Sequence, residues 1–428
     1  MGRVVVGMIG LGTVGEGVVR LLGQQKQIAL KKVAVRDLKK KRNVQLDCAL
    51  TDKVSEVIED PEIEILIEVA GGEEPMLSHM QQALEGRKHI VTANKEVLAK
   101  HGPQLFDLAR KRGVAIFFEA SVAGGVPLIS TIHKGLEANQ LSSVTGILNG
   151  TTNFILSSME QNGASYEEAL SKAQELGFAE ADPTNDVDGF DVAYKLSILS
   201  ALAYGRFARP ADIYRQGIRE ITADDISQAR ELGYRIKLVG STSTANGKGS
   251  IDVRVHPMLV PLSHTLASVG GSNNGILLSG HAVGEIAMVG PGAGQMPTAS
   301  AVVGDTINLA SALQLPDFAS YFQPKIEAQW ADVASAGEWS CPYYLRLSVN
   351  DEPGVVGKVG TIFGEHGISI LSILQRGVRA DGSATIVITT HHVANKQMDA
   401  ALAALHKMSF LQKQESCIRI FKPVNNNA

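Results

Sequence analysis

The sequence predicts an α/β protein made of a doubly wound parallel sheet, an α+β unit and a small ferredoxin-like unit at the C-terminus. Three observations support this fold class. Strand-like apolar runs alternate with helical stretches over residues 1–130, which is typical of a parallel sheet. Short β-like runs broken by Gly, Asn and Pro fill residues 131–315, as in antiparallel sheets. Residues 341–428 follow the order strand, helix, strand, strand, helix, strand of a split βαβ unit.

Composition and charge exclude several classes of protein. A length of 428 residues predicts two or three domains, and a hydrophobic content of 44% is enough for a core in each. The net charge of −4 argues against a nucleic-acid partner. The chain has no long apolar run that could span a membrane, and its cysteines form no C-x-x-C pair. We therefore expect a cytoplasmic protein in a reduced compartment, without a membrane partner.

The strongest local motif stands at the start of the chain. A buried strand is predicted from Val4 to Ile9, and a G-x-G-x-x-G turn joins it to a helix. The glycines of this motif allow a tight turn, a close approach of backbone to pyrophosphate, and close packing of helix on strand. Phosphates would lie at the helix N-terminus, where free N–H groups favour anions. A glycine-rich turn without a ligand is the alternative. The motif predicts nucleotide binding by Gly10, Leu11, Gly12, Thr13, Val14 and Gly15.

The second strand carries the residues that distinguish the two nicotinamide cofactors. About 20 residues after the glycines, an acidic residue meets the ribose 2′-hydroxyl of NAD, or an arginine accommodates the 2′-phosphate of NADP. Both types occur there, as Arg36 and Asp37, and further cations occupy positions 39–42. This cationic excess favours NADP(H) over NAD(H). A solvated basic turn is the alternative without a function.

A later strand places polar residues at the carboxyl edge of the sheet, where ligands bind in such folds. The stretch TANKE occupies residues 92–96 at the end of that strand. Thr92 and Lys95 are therefore expected to face a crevice between cofactor and substrate. A cation at a helix start opposes the helix dipole, which favours a functional role over that of a plain surface lysine.

The second unit ends with a glycine loop and a long helix. The loop GPGAG precedes this helix, and its free N–H groups would let Gly292 approach a ligand, while ordinary loop geometry explains the glycines nearly as well. Residues 316–340 have the composition of a linker. In the C-terminal unit, the turn DEPG leads into an amphipathic helix.

An acidic segment that runs into an apolar helix is the most unusual stretch of the chain. DPTNDVDGFDVAYKLSILSALAYG covers residues 182–205 and places Asp191 four residues before Lys195, on one helix face. The apolar residues after Lys195 indicate a buried helix. A pair of this spacing is usually a surface salt bridge, and the earlier aspartates can complement the helix dipole. A calcium loop is excluded because its ligand order is absent.

Six stretches carry a resemblance to the homoserine dehydrogenase family over essentially the whole chain. They are GLGTVG, TANK, SVAGGVPLI, LNGTTNFIL, GFAEADPTNDVDGFDVAYKL and GPGAGQMPTASAVVGD. The C-terminal unit resembles an ACT domain through NDEPGVVGKV, and such modules commonly bind amino acids. The resemblance implies NAD(P)H-dependent interconversion of L-aspartate 4-semialdehyde and L-homoserine, in the biosynthesis of threonine, methionine and isoleucine.

The same resemblance implies a division of the chain. Residues 1–130 would form a Rossmann-like NAD(P)-binding domain, and residues 131–315 a substrate-binding and dimerisation domain with a closing helix. Residues 316–340 would be the linker, and residues 341–428 the ACT regulatory domain.

Individual roles follow from the resemblance as well. Hydride transfer to the aldehyde leaves an alkoxide, which needs a proton and a nearby positive charge. The family's proton donor matches Lys195, and Lys95 is the rival donor that the sequence does not rank. The family's homoserine-binding carboxylates match Glu180 and Asp191. Thr151 is a weaker candidate for holding the substrate carboxylate.

The remaining implied contacts concern the cofactor and an ion. Gly177, at the start of GFAEADP, and Gly292 complete the expected cofactor contacts. A monovalent cation, sodium or potassium, would have a structural role between the first two domains. Oxygen ligands suit such a hard ion. They match the Glu119 side chain and the backbone oxygens of Val122, Gly124 and Val126.

Other interpretations stay open. One is a different nicotinamide oxidoreductase on the same architecture, such as a sugar dehydrogenase. Aspartate-semialdehyde dehydrogenase needs a cysteine nucleophile, and Cys48, Cys341 and Cys417 lie away from the crevice motifs. A third is an amino-acid sensor with a vestigial nucleotide fold, against which the intact glycines and both lysines argue.

The sequence also leads us to expect an effector, from the ACT-like pattern, and an assembly, from the second domain. The expected effector is L-threonine, acting as a feedback inhibitor. Deletion from about residue 341 is expected to leave catalysis and to remove the inhibition. A sheet face that needs cover in the second domain predicts a homodimer or homotetramer.

Overall fold

The computed structural model describes residues 3–244, 249–313, 315, 324–378 and 382–422. Parts of all four predicted regions lie outside the described residues: 1–2 of the first domain, 245–248 and 314 of the second, 316–323 of the linker, and 379–381 and 423–428 of the C-terminal domain. No helix in the described ranges combines the length and the apolar character needed to cross a bilayer.

The strands are numbered along the chain. They are β1 (Val4–Ile9), β2 (Ile28–Ala34), β3 (Ala49–Thr51), β4 (Ile65–Glu68), β5 (His89–Thr92), β6 (Ile116–Phe117), β7 (Leu141–Ile147), β8 (Tyr214–Arg215), β9 (Tyr234–Thr244), β10 (Ile251–Pro261), β11 (Asn273–Gly280), β12 (Gly284–Pro291), β13 (Ser340–Cys341), β14 (Tyr343–Asn350), β15 (Ile370–Val378), β16 (Ser383–Thr390), β17 (Val393–Ala394) and β18 (Leu411–Ile420).

The helices are numbered in the same way. They are α1 (Thr13–Leu22), α2 (Ser55–Ile58), α3 (Met76–Glu85), α4 (Lys95–Arg112), α5 (Leu128–Ser130), α6 (Gly150–Asn162), α7 (Tyr166–Glu175), α8 (Thr184–Val187), α9 (Phe190–Tyr204), α10 (Ala223–Glu231), α11 (Thr265–Ser268), α12 (Gln295–Ala312), α13 (Val355–Glu365) and α14 (Asn395–Leu405).

The N-terminal sheet confirms the predicted doubly wound architecture. Its strands are parallel and follow the order β3-β2-β1-β4-β5-β6. The chain crosses from one side of β1 to the other between β3 and β4, so the carboxyl ends of β1 and β4 form a topological switch point. Ligands bind at such points in open α/β sheets.

Helix α12 packs against this first sheet, although it follows the second sheet in the chain. Its apolar residues Ala299, Val302 and Leu309 join the core that contains Val6 and Met8. Close contact with α1 requires a glycine there, since a Cβ at position 17 would lie 2.8 Å from the Ala299 Cβ. The sequence grouped this closing helix with residues 131–315, whereas its side chains complete the core of the nucleotide-binding domain.

The second sheet is mixed, and helix α9 packs on one face. Strands β12, β11, β7, β9 and β10 are neighbours in that order and pair antiparallel. Val192 and Leu196 of α9 are fully buried. They lie over Gly240 of β9, where a Cβ would be 2.6 Å from Val192 Cγ1. The predicted burial of this apolar helix is therefore observed.

The C-terminal unit differs from the expected separate module, because its sheet continues the second sheet. Strand β18 pairs in parallel with β10, and β14, β16 and β15 follow it. The junction also contains an ion pair in which Arg346 Nε lies 2.8 Å from Asp225 Oδ1, with both residues buried. Pairing of this kind covers a sheet edge that would otherwise be exposed.

Candidate active site

Helix α9 packs against α4 of the first domain and carries the oppositely charged pair, Asp191 and Lys195, predicted from the sequence. Gly189 precedes it with a left-handed φ of 80°, a conformation that glycine adopts without strain. Asp191 and Lys195 share one face of the helix and are only 4% and 7% exposed. The alternative of a surface salt bridge is therefore excluded.

The carboxylate of Asp191 joins two lysines from different domains. Its Oδ1 lies 2.6 Å from Nζ of Lys95, and its Oδ2 lies 2.7 Å from Nζ of Lys195. The amide of Asn149 also donates to Oδ2, at 2.9 Å. The side chain of Lys95 is 42% exposed, so it lines the open side of the cluster. Both predicted lysines thus meet at one buried carboxylate.

Burial and charge act in opposite directions on these groups. Burial alone would raise the pKa of Asp191, but the Lys195 and Lys95 ammonium groups outweigh it and hold that pKa well below its usual range. Burial lowers the pKa of Lys195, and attraction to Asp191 offsets only part of this effect. Attraction to Asp191 raises the pKa of Lys95. Lys195 is therefore the lysine that gives up its proton more readily.

Backbone and amide groups fix the position of Lys195. Its Nζ donates to the carbonyl oxygen of Leu148 at 2.6 Å, and Asn274 Nδ2 donates to the same oxygen at 3.2 Å. Asn149 Nδ2 additionally donates to Asp186 at 2.7 Å, while its Oδ1 caps α6 by accepting the Thr152 N–H. Sequence reasoning missed both asparagines. An Asn directly before a helical pattern is an N-cap signal that could have indicated Asn149.

A buried network at the carboxyl edge of the first sheet positions Lys95. Asn94 caps α4 by accepting the Val97 N–H, and its own N–H donates to Thr92 Oγ at 2.9 Å. That hydroxyl donates in turn to Glu68 Oε2 at 2.7 Å. Glu68 is fully buried and also accepts the N–H groups two and three residues further along the chain. Thr92 therefore acts here by fixing the start of α4, and Glu68 is a residue that sequence reasoning missed.

The glycine turn after β1 leaves space for a ligand at one glycine only. Gly10 has a φ of 100°, and a Cβ there would lie 2.7 Å from the Ala70 nitrogen. A Cβ at Gly15 would lie 2.5 Å from the Gly10 oxygen, whereas one at Gly12 would meet no atom within 4 Å. The N-cap residue of α1 is Gly12, which has no side chain to cap the helix. Gly10 and Gly15 are thus required by the fold, and Gly12 borders open space suited to a pyrophosphate.

Substitution of this turn should separate cofactor binding from folding. We expect Gly12→Val to raise the KM for the dinucleotide at least about tenfold, the equivalent of roughly 1.4 kcal/mol, with little change in Tm. Gly15→Val should instead lower Tm, because its Cβ clashes with backbone. Cofactor titrations and thermal melts of both variants test this. An unchanged KM in Gly12→Val would contradict the assignment.

The other residues of the turn and the basic segment complete the predicted dinucleotide site. Leu11 is buried in the core, Thr13 is exposed and Val14 is half-buried. After β2, Arg42 donates to the carbonyl of Asp37 at 2.6 Å and holds the turn closed. Arg36 remains exposed to solvent. Its guanidinium is therefore accessible to a phosphate.

The remaining predicted substrate and cofactor residues lie outside the lysine cluster. Glu180 is exposed, and the Thr151 hydroxyl donates to the Phe178 carbonyl at 2.7 Å. Across the described ranges, no hydrogen bond joins either side chain to Asp191. Gly177 is exposed with a φ of 76°. The site residues thus divide into a connected cluster and flanking residues, which lie at the start of α6 and on the loop after α7.

The segment predicted to hold a cation is packed against the loop that contains Gly292. Both carboxylate oxygens of Glu119 accept backbone N–H groups, from the residues at 129 and 130, at 2.8 Å each. A Cβ at Gly124 would lie 2.5 Å from the Gly292 oxygen, and Val122 and Val126 are buried. Among the described residues, no group of three or more His, Cys, Asp or Glu could hold a metal ion. An oxygen-only cation site remains a prediction.

Comparisons with known proteins agree with this arrangement. Residues 10–119 match the family model described as homoserine dehydrogenase, NAD binding domain, and residues 127–307 match the model described as homoserine dehydrogenase. Residues 343–410 match the ACT domain model.

Similar proteins cover most or nearly all of the chain. A homoserine dehydrogenase of Synechocystis is 41% identical over 97% of this chain and 99% of its own length. The crystal structure of a homoserine dehydrogenase from Thiobacillus denitrificans aligns with a TM-score of 0.92 and 38% identity, covering 98% of both chains. A hyperthermophilic archaeal homoserine dehydrogenase, solved in complex with NADPH, aligns with a TM-score of 0.62 and 25% identity, covering 73% of this chain and 99% of its own.

Proposed function

The chain belongs to the homoserine dehydrogenase family of NAD(P)-dependent oxidoreductases acting on a CH–OH group, and from this premise we propose that Lys195 is the proton donor of the reaction. The single observation that carries the proposal is the Asp191 carboxylate that joins Lys195 and Lys95 across the domain boundary. The substrate pair is L-aspartate 4-semialdehyde and L-homoserine, interconverted reversibly.

Lys195 has the contacts that a proton donor needs. An ammonium group carries three N–H bonds, and Leu148 and Asp191 accept two of them. The third is available to the oxygen of the substrate. When bound, the cofactor would supply the hydride that reduces the aldehyde carbon, which leaves the protonation of the oxygen to the protein. Because burial lowers the pKa of Lys195, its proton passes readily to the alkoxide.

The neighbouring groups support this step electrostatically. Lys95 keeps its positive charge because attraction to Asp191 raises its pKa, and that charge stabilises the developing alkoxide. Asp191 holds both ammonium groups in place. Its carboxylate would also accept hydrogen bonds from polar groups of the substrate. Glu180, on the loop after α7, would bind the amino group of the amino-acid substrate, and Thr151, in the first turn of α6, would bind its carboxylate. Thr151 would do so by turning its hydroxyl proton from the Phe178 carbonyl to the substrate carboxylate.

The cofactor preference follows from the basic segment after β2. Arg36 is exposed, while Asp37 is occupied within its own turn, where its Oδ1 accepts the Lys39 N–H at 2.8 Å. An accessible arginine with an engaged aspartate favours the 2′-phosphate of NADP(H) over the 2′-hydroxyl of NAD(H). Lys95 would face the cofactor from the start of α4, where the buried Thr92 positions it, and Gly177 and Gly292 would approach the cofactor by their backbones.

Regulation and assembly are further parts of the proposal. The ACT domain would bind L-threonine as a feedback inhibitor in the biosynthesis of threonine, methionine and isoleucine. Glu119, with the backbone oxygens of Val122, Gly124 and Val126, would hold sodium or potassium. The assembly would be a homodimer or homotetramer. Deleting residues from 341 is a poor test of regulation, because it removes the partner of buried Asp225.

Steady-state kinetics of the full chain test the proposed function. We expect L-homoserine to reduce NADP⁺ with a higher kcat/KM than any polyol, and L-threonine to lower the rate while L-lysine does not. A polyol preference would identify a sugar dehydrogenase instead. Threonine binding without homoserine-dependent reduction would identify a sensor, and activity insensitive to threonine would reject the regulatory part alone.

A further inference from the structure

A second polar cavity lies in the substrate-binding domain and shares no residue with the lysine cluster. It has a volume of about 270 Å³ and opens between α6, β9, α10 and the loop after α11. Its polar lining includes Ser157, Glu160, Arg230, Arg235 and Lys237. Three cationic side chains therefore face one carboxylate, an excess that favours an anion.

The ammonium group of Lys237 is the deepest charge in this cavity. The residue is 2% exposed, and its Nζ donates to Asn153 Oδ1 at 2.8 Å and to the Val269 carbonyl at 2.7 Å. Both partners are neutral, and among the described residues no carboxylate bonds to the ammonium group. Burial lowers the pKa of Lys237 to about 8. Buried charges in proteins are normally hydrogen-bonded to a counter-ion, whereas in the described part of the chain Glu160 attracts this one without a hydrogen bond to it.

The groups around Lys237 do not provide a carboxylate that is hydrogen-bonded to its ammonium group. The carboxylate of Glu160 is engaged by Arg235, whose Nε lies 2.8 Å away. The hydroxyl of Ser157 is buried and has no hydrogen-bond partner in the described part of the chain. Arg230 is exposed and lines the same cavity. A purely structural role for Lys237 would explain its hydrogen bonds to Asn153 and Val269. It would not explain the unpartnered hydroxyl of Ser157 in the same cavity.

We propose that this cavity is a binding site for a small oxyanion, a phosphate or carboxylate group, held by Lys237, Ser157 and Arg230. The third N–H of Lys237 and the Ser157 hydroxyl donate from inside, and the Arg230 guanidinium closes the site from the surface. The volume limits the ligand to a free ion or a small metabolite. The site is separate from the hydride-transfer centre, and it stands whether or not the proposed roles of Lys195 and Lys95 hold.

Calorimetric titration of the full-length protein with inorganic phosphate tests this site. Saturating NADP⁺ is present throughout, so that the glycine turn is filled and cannot bind the probe. We expect one phosphate per chain, and an affinity at least about tenfold lower in Lys237→Met, which keeps the length of the side chain and removes the charge. Lys172→Met, at an exposed position outside the cavity, is the matched control and should bind as the unchanged protein does.

Further variants keep the test decisive. Arg230→Gln changes an exposed residue, so it should fold normally and still weaken binding, even if Lys237→Met fails to fold. Malonate titrated in place of phosphate distinguishes a carboxylate ligand from a phosphate ligand. No binding of either anion overturns the proposal, and so does equal affinity in Arg230→Gln and the unchanged protein.

Discussion

Replacing Lys195 with methionine should lower kcat by about 10²- to 10⁴-fold, the usual contribution of a positioned general acid. Methionine fills a similar volume in the buried helix but cannot donate a proton. The KM for homoserine should change far less than kcat, because the lost interaction is made mainly in the transition state. Steady-state measurements in both directions, with each cofactor, give kcat and KM separately.

Two comparison variants make this result interpretable. Lys172→Met, in which an exposed lysine is replaced, should leave kcat unchanged. Lys95→Met should reduce kcat through the loss of a stabilising charge but retain proton transfer. If Lys95→Met instead causes the larger loss of kcat while Lys195→Met stays active, Lys95 is the proton donor and the proposed assignment is wrong.

The pH profile provides a readout that a structural role would not change. In the direction of homoserine oxidation, Lys195 must be neutral to accept the hydroxyl proton, so activity should rise as the pH passes its pKa. Because burial lowers that pKa, the rise should occur at a lower pH than for an ordinary lysine. Lys195→Arg should lack the rise, since arginine does not deprotonate in this range.

The second large effect is expected on stability, from Asp191→Asn. The change removes the negative charge between two ammonium groups, and breaking a buried pair in this way costs about 3–5 kcal/mol. Urea denaturation measures the free energy of unfolding of both forms. Glu175→Gln, which breaks an exposed pair with Lys172, is the control and should cost no more than about 1 kcal/mol. Equal costs for the two variants would mean that the cluster is not effectively buried.

A double variant separates the charge effect from the loss of packing. Asp191→Leu combined with Lys195→Met removes both members of the buried pair, and it should recover part of the stability while remaining inactive.

The dependence of stability on pH in the acid range gives a further check. Because the folded pKa of Asp191 is depressed, its contribution to stability is present above the unfolded pKa of about 3.9 and is lost as the pH falls toward the folded value. Asp191→Asn should lack this dependence.

Much of the fold could be predicted from local patterns. The glycine spacing after the first strand, the alternation of strands with helices, and the split βαβ order of the C-terminal unit each depend on neighbouring residues. The i,i+4 spacing of Asp191 and Lys195 likewise needed only the period of one helix. These features were predictable because their physical causes, backbone conformation and the side-chain period, act over a few residues.

Other features depend on which distant segments meet. Lys95 joins Asp191 only because the start of α4 and the start of α9 face the same cleft. Glu68 and Asn149 act through hydrogen bonds to groups 24 and 42 residues away in the chain, and no local pattern marks such partners. The pairing of β18 with β10, and the packing of α12 on the first sheet, were missed for the same reason.

The sequence by itself determined the fold class, the glycine turn and the family resemblance. Tertiary structure alone decided that Asp191 joins two lysines from different domains, and that one of them is buried, which lowers its pKa. Burial, and the pKa values that follow from it, depend on which surfaces pack together. Spacing along a chain does not encode that information, because desolvation is a property of all the neighbours that a group acquires on folding.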